Sequence, residues 1–168
     1  LNVATKEPDP DVWPADQWIR GRAHDGRLGQ SVLAARPVAK FIRAVHEAKR
    51  AEIRWHTTWS PGLANACAGL LGLPAFPTAE APEWGAHMNN EIDEWWKIGA
   101  ALRVVEKEKR PLVWTDDDLQ GPFNIDQVTR DRIAAAAPTL LIGSSDTTGL
   151  TPRHLRKIDA FLTAMEDR

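Results

Sequence analysis

Apolar and polar positions along the chain predict helices interleaved with short strands. Val38, Phe41, Ile42 and Val45 recur at the spacing of one helical face, and a proline suits the first turn. Helices are predicted over residues 37–50, 61–71, 91–107, 125–136 and 152–166. Strands are predicted over residues 51–57, 111–115 and 139–142, with a short edge strand over 73–77, where prolines exclude a central position.

Two of these helices carry start signals, and one of them also carries a stop signal. Ser60 and Thr151 each precede a proline and suit N-cap positions. Gly72 suits the end of the helix that Ser60 begins.

The alternation of strands and helices predicts an α/β fold with a parallel sheet that is covered on both faces. Residues 3–30 are rich in Pro, Asp, Gly and Arg without sustained periodicity, and they are interpreted as an irregular excursion with short extended pieces. Residues 78–88 are interpreted as loop. A chain of 168 residues is expected to form one domain, 1–168.

Composition narrows the class of protein only slightly. The net charge of −2 encodes no strong global attraction to nucleic acid or to a membrane surface. A single cysteine, Cys67, rules out an internal disulfide and suits the reducing cytoplasm, which is the expected location. No apolar run reaches the length that a bilayer requires, so no membrane partner is expected. Eight tryptophans without a tyrosine suggest an indole-lined core or groove.

Three aspartates, Asp116, Asp117 and Asp118, directly follow a short apolar strand. Adjacent carboxylates repel one another, and a hard cation such as Mg²⁺ would relieve the repulsion. A solvated acidic loop or a helix N-terminus would carry the same residues. Because ligands bind at the carboxyl ends of parallel strands, the cluster is a candidate metal site.

Thr57, Thr58 and Lys97 are candidates for holding phosphate. The two threonines end a predicted strand just before a helix N-terminus, where hydroxyl and N–H groups bind anions. Lys97 lies in an otherwise apolar stretch and would bring an ammonium into the site. The simpler interpretations are strand propensity with N-capping for the threonines and a surface position for the lysine.

Arg20 and Arg22 lie in the long N-terminal excursion and are candidates for clamping a substrate phosphate or a nucleic-acid backbone. The alternative is a solvated loop. His56 neighbours the threonines and is a weaker candidate for the site. Residues 144–146 end another strand and would serve a substrate or only a turn. The histidines show no zinc-ligand spacing.

In this order, the threonine after one strand, the lysine on a helix and the aspartates after the next strand resemble the haloacid-dehalogenase (HAD) family of magnesium-dependent phosphohydrolases. Leu1-Asn2 resembles the tail of the family's first motif, Asp-x-Asp-Gly-Val-Leu-Asn. The resemblance is closest to a subgroup of actinobacteria and their phages, akin to HAD domains attached to RNA-repair proteins. Its other segments are residues 57–59, 72–74, 96–97, 114–118, 138–141 and 149–155.

The resemblance implies a role for each matching residue. Thr57 would bond the transferring phosphoryl oxygens, with Thr58 as the alternate. Lys97 would stabilise the phosphoaspartate. Asp116 would be the main carboxylate near Mg²⁺, assisted by Asp117, and both would act as metal ligands. The reaction would proceed through an aspartyl phosphate.

The resemblance also implies a three-layer α/β/α sandwich with a Rossmann-like parallel sheet and a minimal cap from residues 3–30. The nucleophile and the general acid/base would be two aspartates upstream of residue 1. A small cap leaves the site open, which favours bulky phosphorylated substrates such as nucleic-acid ends or phosphoproteins. The alternative is a catalytically inactive HAD-fold module that binds a partner through a tryptophan-rich surface.

Overall fold

The chain folds as a mixed α/β protein with two separate two-stranded sheets. The computed structural model describes residues 9–79, 96–120, 125–145 and 147–167. The strands are β1 (Trp18–His24), β2 (Gly29–Ala35), β3 (Leu112–Asp116) and β4 (Thr139–Gly143). The helices are α1 (Arg36–Glu47), α2 (Pro61–Leu70), α3 (Trp96–Leu102), α4 (Gln127–Ala136) and α5 (Pro152–Glu166).

The prediction of an irregular excursion over 3–30 is wrong from residue 18 onward, because β1 and β2 form an antiparallel hairpin. Its turn is fixed by Asp25, whose Oδ1 accepts hydrogen bonds from the backbone N–H groups of Arg27 and Leu28. The strand pattern was hidden because Gly21, which is exposed, interrupts the alternation of apolar residues along β1. A Cβ at this position would lie 2.7 Å from the Leu70 side chain on α2. Residues 3–8 lie outside the described part of the chain.

The prediction of a parallel strand pair is confirmed. β3 and β4 run parallel, with register from Leu112 opposite Thr139 to Asp116 opposite Gly143. Both strands are five residues long and half-buried or buried. The pair therefore ends with Asp116 and Gly143 at the same edge.

The predicted strands over 51–57 and 73–77 are wrong as strands. They meet in one isolated parallel bridge, between Trp55 and Thr78. Trp55 N–H donates to Pro77 O and Trp55 O accepts from Ala79 N–H, both at 2.7 Å. Pro74 and Pro77 have no N–H to donate, which prevents a longer ladder.

The capping signals that the sequence carries act as predicted. Ser60 Oγ accepts from Leu63 N–H at 3.1 Å, and Gly72 ends α2 with a φ of +64°. Thr151 and His154 bond each other's backbone N–H groups in a reciprocal cap of α5.

The long helix predicted over 91–107 is interrupted. Its described part is α3 followed by a π-helical turn, Arg103–Lys107. Residues 91–95 lie outside the described part, as do most of the predicted loop over 78–88, Leu1-Asn2 and Asp146. Among the described residues, no helix combines the length and apolar character needed to cross a bilayer.

The core ties the start of the described chain to its last third. The Trp13 indole N–H donates to Leu150 O at 2.9 Å, and the Trp18 indole N–H donates to Trp13 O at 3.0 Å. Trp13, Trp18 and Leu150 belong to one apolar cluster with Ile142 of β4 and Ile158 of α5. Trp18, at the start of the hairpin, therefore packs in the same cluster as β4 and α5.

Candidate functional site

A cavity of about 750 Å³ opens at the carboxyl end of β3. Predicted site residues from three separate parts of the chain line it: Thr57, Thr58, Lys97, Asp116 and Asp117. Three weaker candidates of the sequence also line it, namely His56, Asp118 and Ser144. Gln30 and Ser31 line it as well, although sequence reasoning did not select them.

Lys97 is directed into the cavity and is not the surface lysine of the simpler interpretation. The residue is 7% exposed, and α3 carries its ammonium to the end of β3. Nζ lies 3.0 and 2.8 Å from the two carboxylate oxygens of Asp116 and 3.0 Å from Oδ2 of Asp118. One buried cation thus neutralises part of a three-carboxylate cluster, which fits the pairing that buried charges require.

Asp116 is the most constrained of the three carboxylates. It is buried, and in addition to Lys97 its side chain accepts from the Trp114 indole N–H at 3.3 Å and the Asp118 backbone N–H at 3.2 Å. Its own carbonyl accepts from Ser144 N–H at 3.1 Å, which extends the β3–β4 ladder past the strand end. These bonds fix the carboxylate in one orientation.

Asp117 differs from Asp116 because it is exposed, whereas Asp116 is buried. Although the residue reaches the surface, protein atoms around its carboxyl displace water and raise its pKa, and the negative charges of Asp116 and Asp118 raise it further. A cation placed here would oppose both effects.

The three aspartates offer oxygen ligands close enough to share one metal ion. One carboxylate oxygen from each lies within 4.8 Å of the others. Hard oxygen donors suit Mg²⁺, and equally other hard divalent cations. The donor chemistry therefore fits the expected magnesium, with Asp117 the carboxylate in greatest need of charge compensation.

Thr57 and Thr58 sit where the predicted anion site requires them, just ahead of α2. Thr57 is half-buried, and its Oγ1 accepts from the Trp59 backbone N–H at 3.2 Å in a local turn. Thr58 is exposed at the rim. Ser60, two residues after Thr58, donates its hydroxyl to Asp25 Oδ2 at 2.6 Å, which links this turn to the hairpin.

His56 forms part of an aromatic wall. Its ring makes an edge-to-face contact with Trp96, with centroids 5.2 Å apart, and a tilted contact with Trp114, with centroids 5.0 Å apart. Burial lowers its pKa to about 4, so the ring is neutral at pH 7. Its position next to Thr57 was the signal available in the sequence.

Arg20 and Arg22 are exposed on β1 and do not line the cavity. Arg22 is paired across the hairpin with Ser31, which does line it, and Arg20 is paired with Leu33. The arginines therefore lie on a paired strand of the hairpin rather than on the solvated loop of the alternative interpretation. Gln30 and Ser31 carried no signal in the sequence, because the hairpin itself was not predicted.

At the end of β4, Ser144 is buried and lines the cavity, whereas Ser145 engages in turn chemistry. Ser145 Oγ lies 2.8 Å from Thr147 Oγ1 and accepts from the Thr147 backbone N–H. Of the described candidates among residues 144–146, Ser144 lines the cavity and Ser145 does not.

Comparisons of this chain with protein-family models, curated proteins and solved structures found no match.

Proposed function

We propose that this chain contributes the metal and phosphate site of a Mg²⁺-dependent phosphohydrolase that works through an aspartyl phosphate. The observation that carries the proposal is the buried Lys97 ammonium, held between Asp116 and Asp118 in a cavity that Thr57 also lines. A cation, a hydroxyl and a cluster of hard carboxylates around one opening are the groups that phosphoryl transfer uses.

The proposed roles follow from the geometry of each residue. Lys97 offsets negative charge on the transferring group, and Thr57 donates its hydroxyl to a phosphoryl oxygen. Asp116 and Asp117 would hold Mg²⁺, which supplies Lewis-acid charge stabilisation when bound. The fixed orientation of Asp116 keeps these charges in place without reorganisation during the reaction.

The proposed nucleophile is an aspartate in polypeptide upstream of residue 1. Its carboxylate oxygen attacks phosphorus as the bond from phosphorus to the leaving alcohol breaks, and a second aspartate protonates that alcohol. Water then hydrolyses the aspartyl phosphate and releases inorganic phosphate. The finer fold that goes with this proposal is a three-layer α/β/α sandwich with a Rossmann-like parallel sheet, in which β3 and β4 are neighbours.

The proposed substrate is a phosphorylated macromolecular end, such as a nucleic-acid end. Arg20 and Arg22 are exposed on the hairpin that carries the cavity-lining residues Gln30 and Ser31, and they would bind backbone phosphates rather than the reacting one. A non-catalytic module that binds through surface tryptophans has less support. The described tryptophans are buried or half-buried: Trp13, Trp18, Trp55, Trp59, Trp96 and Trp114.

Hydrolysis of p-nitrophenyl phosphate tests the proposal. The reaction is measured with and without Mg²⁺ on a polypeptide that includes the residues encoded upstream of Leu1 and on the chain Leu1–Arg168. We expect turnover only in the longer polypeptide with Mg²⁺, lost in Asp116→Asn and retained in Asp11→Asn, an exposed carboxylate far along the sequence.

Absence of turnover in the longer polypeptide would support the non-catalytic module instead. Turnover by Leu1–Arg168 itself would show that the nucleophile lies within the chain and that the assigned route is wrong.

A further inference from the structure

Three side chains assigned to the proposed phosphate site come from separate segments of the chain, and one aromatic ring contacts or adjoins all three segments. Thr57 lies between α1 and α2, Lys97 lies in the first turn of α3, and Asp116 ends β3. The ring is that of His56, which directly precedes Thr57 and contacts aromatic residues of α3 and β3. The proposed chemistry gives this histidine no part.

The contact with α3 involves the residue just before Lys97. The His56 ring meets Trp96 with centroids 5.2 Å apart and ring planes at 82°. Trp96 is the first described residue of α3, and it is buried. Aromatic rings favour such an edge-to-face arrangement over a face-to-face stack, so the contact fixes an angle as well as a distance. It therefore orients the end of α3 that carries Lys97.

The contact with β3 leads to the carboxylate that Lys97 binds. The His56 ring lies against Trp114 with centroids 5.0 Å apart and planes at 45°. The Trp114 indole N–H donates to Asp116 Oδ2 at 3.3 Å, and this oxygen lies 2.8 Å from Lys97 Nζ. Contacts thus link the carboxylate to one indole, that indole to the imidazole, and the imidazole to the residue before the lysine. The ion pair closes this loop of contacts.

The electrostatics of the ring agree with its place in the loop. Burial lowers the pKa of His56 to about 4, the Asp116 carboxylate opposes this shift, and the Lys97 ammonium adds to it. The ring is therefore close enough to both members of the ion pair to respond to their charges. Because it is neutral at pH 7, it does not compete with the ammonium for the carboxylate.

Hydrogen bonding through Nε2 does not hold the ring in place. His56 Nε2 is buried, and it has no hydrogen-bond partner in the described part of the chain. The two indoles are then the main groups that orient the ring. A flat apolar ring should serve in its place, whereas an aliphatic side chain lacks the faces and edges that the indoles contact.

We propose that His56 is a positioning residue for the Lys97–Asp116 ion pair. Its ring holds the two indoles at a fixed separation, and with them the Lys97 end of α3 and the carboxyl end of β3. In this role it acts on the reaction through the ion pair and not by contact with the transferring group. Misplacement of a reacting charge by about 1 Å can lower a rate about 100-fold, so such a residue would matter for turnover.

The effect on the ion pair stands apart from the proposed chemistry, because the two charges meet whether or not the site is catalytic. Only the effect on turnover rests on the proposed function. The test therefore measures the ion pair first, through protein stability, and the reaction second.

Two apolar substitutions separate the ring of His56 from its volume. His56→Phe keeps a flat ring, and His56→Leu fills space without one. In each background of the full polypeptide, urea unfolding with Lys97→Met, Asp116→Leu and both together gives the coupling between the two charges. A side chain that merely fills space would shift these stabilities together and leave the coupling unchanged.

We expect the coupling, expressed as a ratio of unfolding equilibrium constants, to stay within about twofold of wild type in His56→Phe. It should fall at least about tenfold in His56→Leu. His46→Leu is the matched control, because exposed His46 makes an edge-to-face contact with Phe76, with centroids 5.3 Å apart. This control should leave the coupling unchanged.

Equal coupling in His56→Phe and His56→Leu would overturn the proposal. If both variants retain the coupling, the ring has no positioning part. If both lose it, an imidazole nitrogen carries the effect instead of the ring contacts. Should His56→Leu not fold, His56→Gln fills the space without a ring and takes its place in the cycle, with the same expected loss.

Hydrolysis of p-nitrophenyl phosphate gives the second readout. In His56→Leu, kcat should fall about 10- to 100-fold with KM within about twofold, and His56→Phe should restore most of the rate. Loss of coupling in His56→Leu, with no phosphatase activity in the unsubstituted protein, would keep the positioning role and reject the chemistry. Activity in the unsubstituted protein, with coupling unchanged in His56→Leu, would do the reverse.

Discussion

Lys97 Nζ lies 2.8 Å from Asp116 Oδ2, and both side chains are almost completely buried. Removing one member of a buried ion pair leaves the other charge without its main partner. We expect Lys97→Met to lower the free energy of unfolding by about 3 kcal/mol. The double variant Lys97→Met/Asp116→Leu should recover most of this loss, because it removes both charges.

Urea unfolding of the wild type, Lys97→Met, Asp116→Leu and the double variant measures the coupling energy between the two side chains. Asp118→Asn serves as the control, since Asp118 is 35% exposed and its loss should cost clearly less. Equal stabilities of Lys97→Met and the wild type would show that the pair contributes nothing to folding.

Mg²⁺ should stabilise the folded protein through the aspartate cluster. Binding at a concentration 100-fold above the dissociation constant raises the unfolding free energy by about 2.7 kcal/mol. Asp117→Asn removes the carboxylate whose pKa is raised by lost hydration and by its acidic neighbours, and it should abolish most of the gain. Thermal unfolding with MgCl₂ or with EDTA, against Asp11→Asn as control, measures the difference. A gain that is equal in Asp117→Asn and the wild type would place the ion elsewhere.

Acid should destabilise the fold through His56, whose pKa falls from 6.5 to about 4 because its ring is buried. Between these values the unfolded chain binds the proton and the folded chain does not, so stability is lost as the pH falls from 6.5 to 4. The shift corresponds to about 3 kcal/mol. His56→Gln cannot titrate, so the stability difference between wild type and variant should shrink by this amount between pH 7 and pH 4. Parallel curves of unfolding free energy against pH would contradict the assignment.

The arginines of the hairpin should matter for polynucleotide substrates and not for small ones. Arg20→Ala/Arg22→Ala should raise KM for a 5′-phosphorylated oligonucleotide several-fold and reduce the salt dependence of binding by about two charges. KM for p-nitrophenyl phosphate should stay unchanged. Arg156→Ala, an exposed arginine on α5, is the matched control. Equal effects on both substrates would indicate a structural role for the hairpin arginines.

Local signals were the part of the fold that could be predicted from the sequence. The caps at Ser60 and Thr151, the stop at Gly72 and the apolar run that forms β3 depend on neighbours within a few residues. The acidic cluster was predicted for the same reason, because its three members are adjacent. Lys97 was a candidate by its apolar surroundings, but its contact with Asp116, 19 residues away, needed the fold.

The hairpin escaped prediction because its pattern depends on partners distant in sequence. Gly21 reads as a breaker, yet it lies within β1, where the strand meets the Leu70 side chain of α2. The segment at residues 51–57 failed in the opposite way. The alternation of Ile53 and Trp55 is typical of a strand, but strand formation also depends on pairing with neighbours. Within residues 51–57, the structure shows a bridge partner for Trp55 alone.

The bond between the Trp13 indole and Leu150 joins residues 137 positions apart. During synthesis on a ribosome, which proceeds from the N-terminus, residues 9–18 emerge long before Leu150 exists. The hairpin and α2 can pack together early, because their partners are close in sequence, but the cluster around Trp13 must wait for α5. Folding of this side of the core is therefore a late event that closes a loop of almost the whole chain, and it should set a slow overall rate.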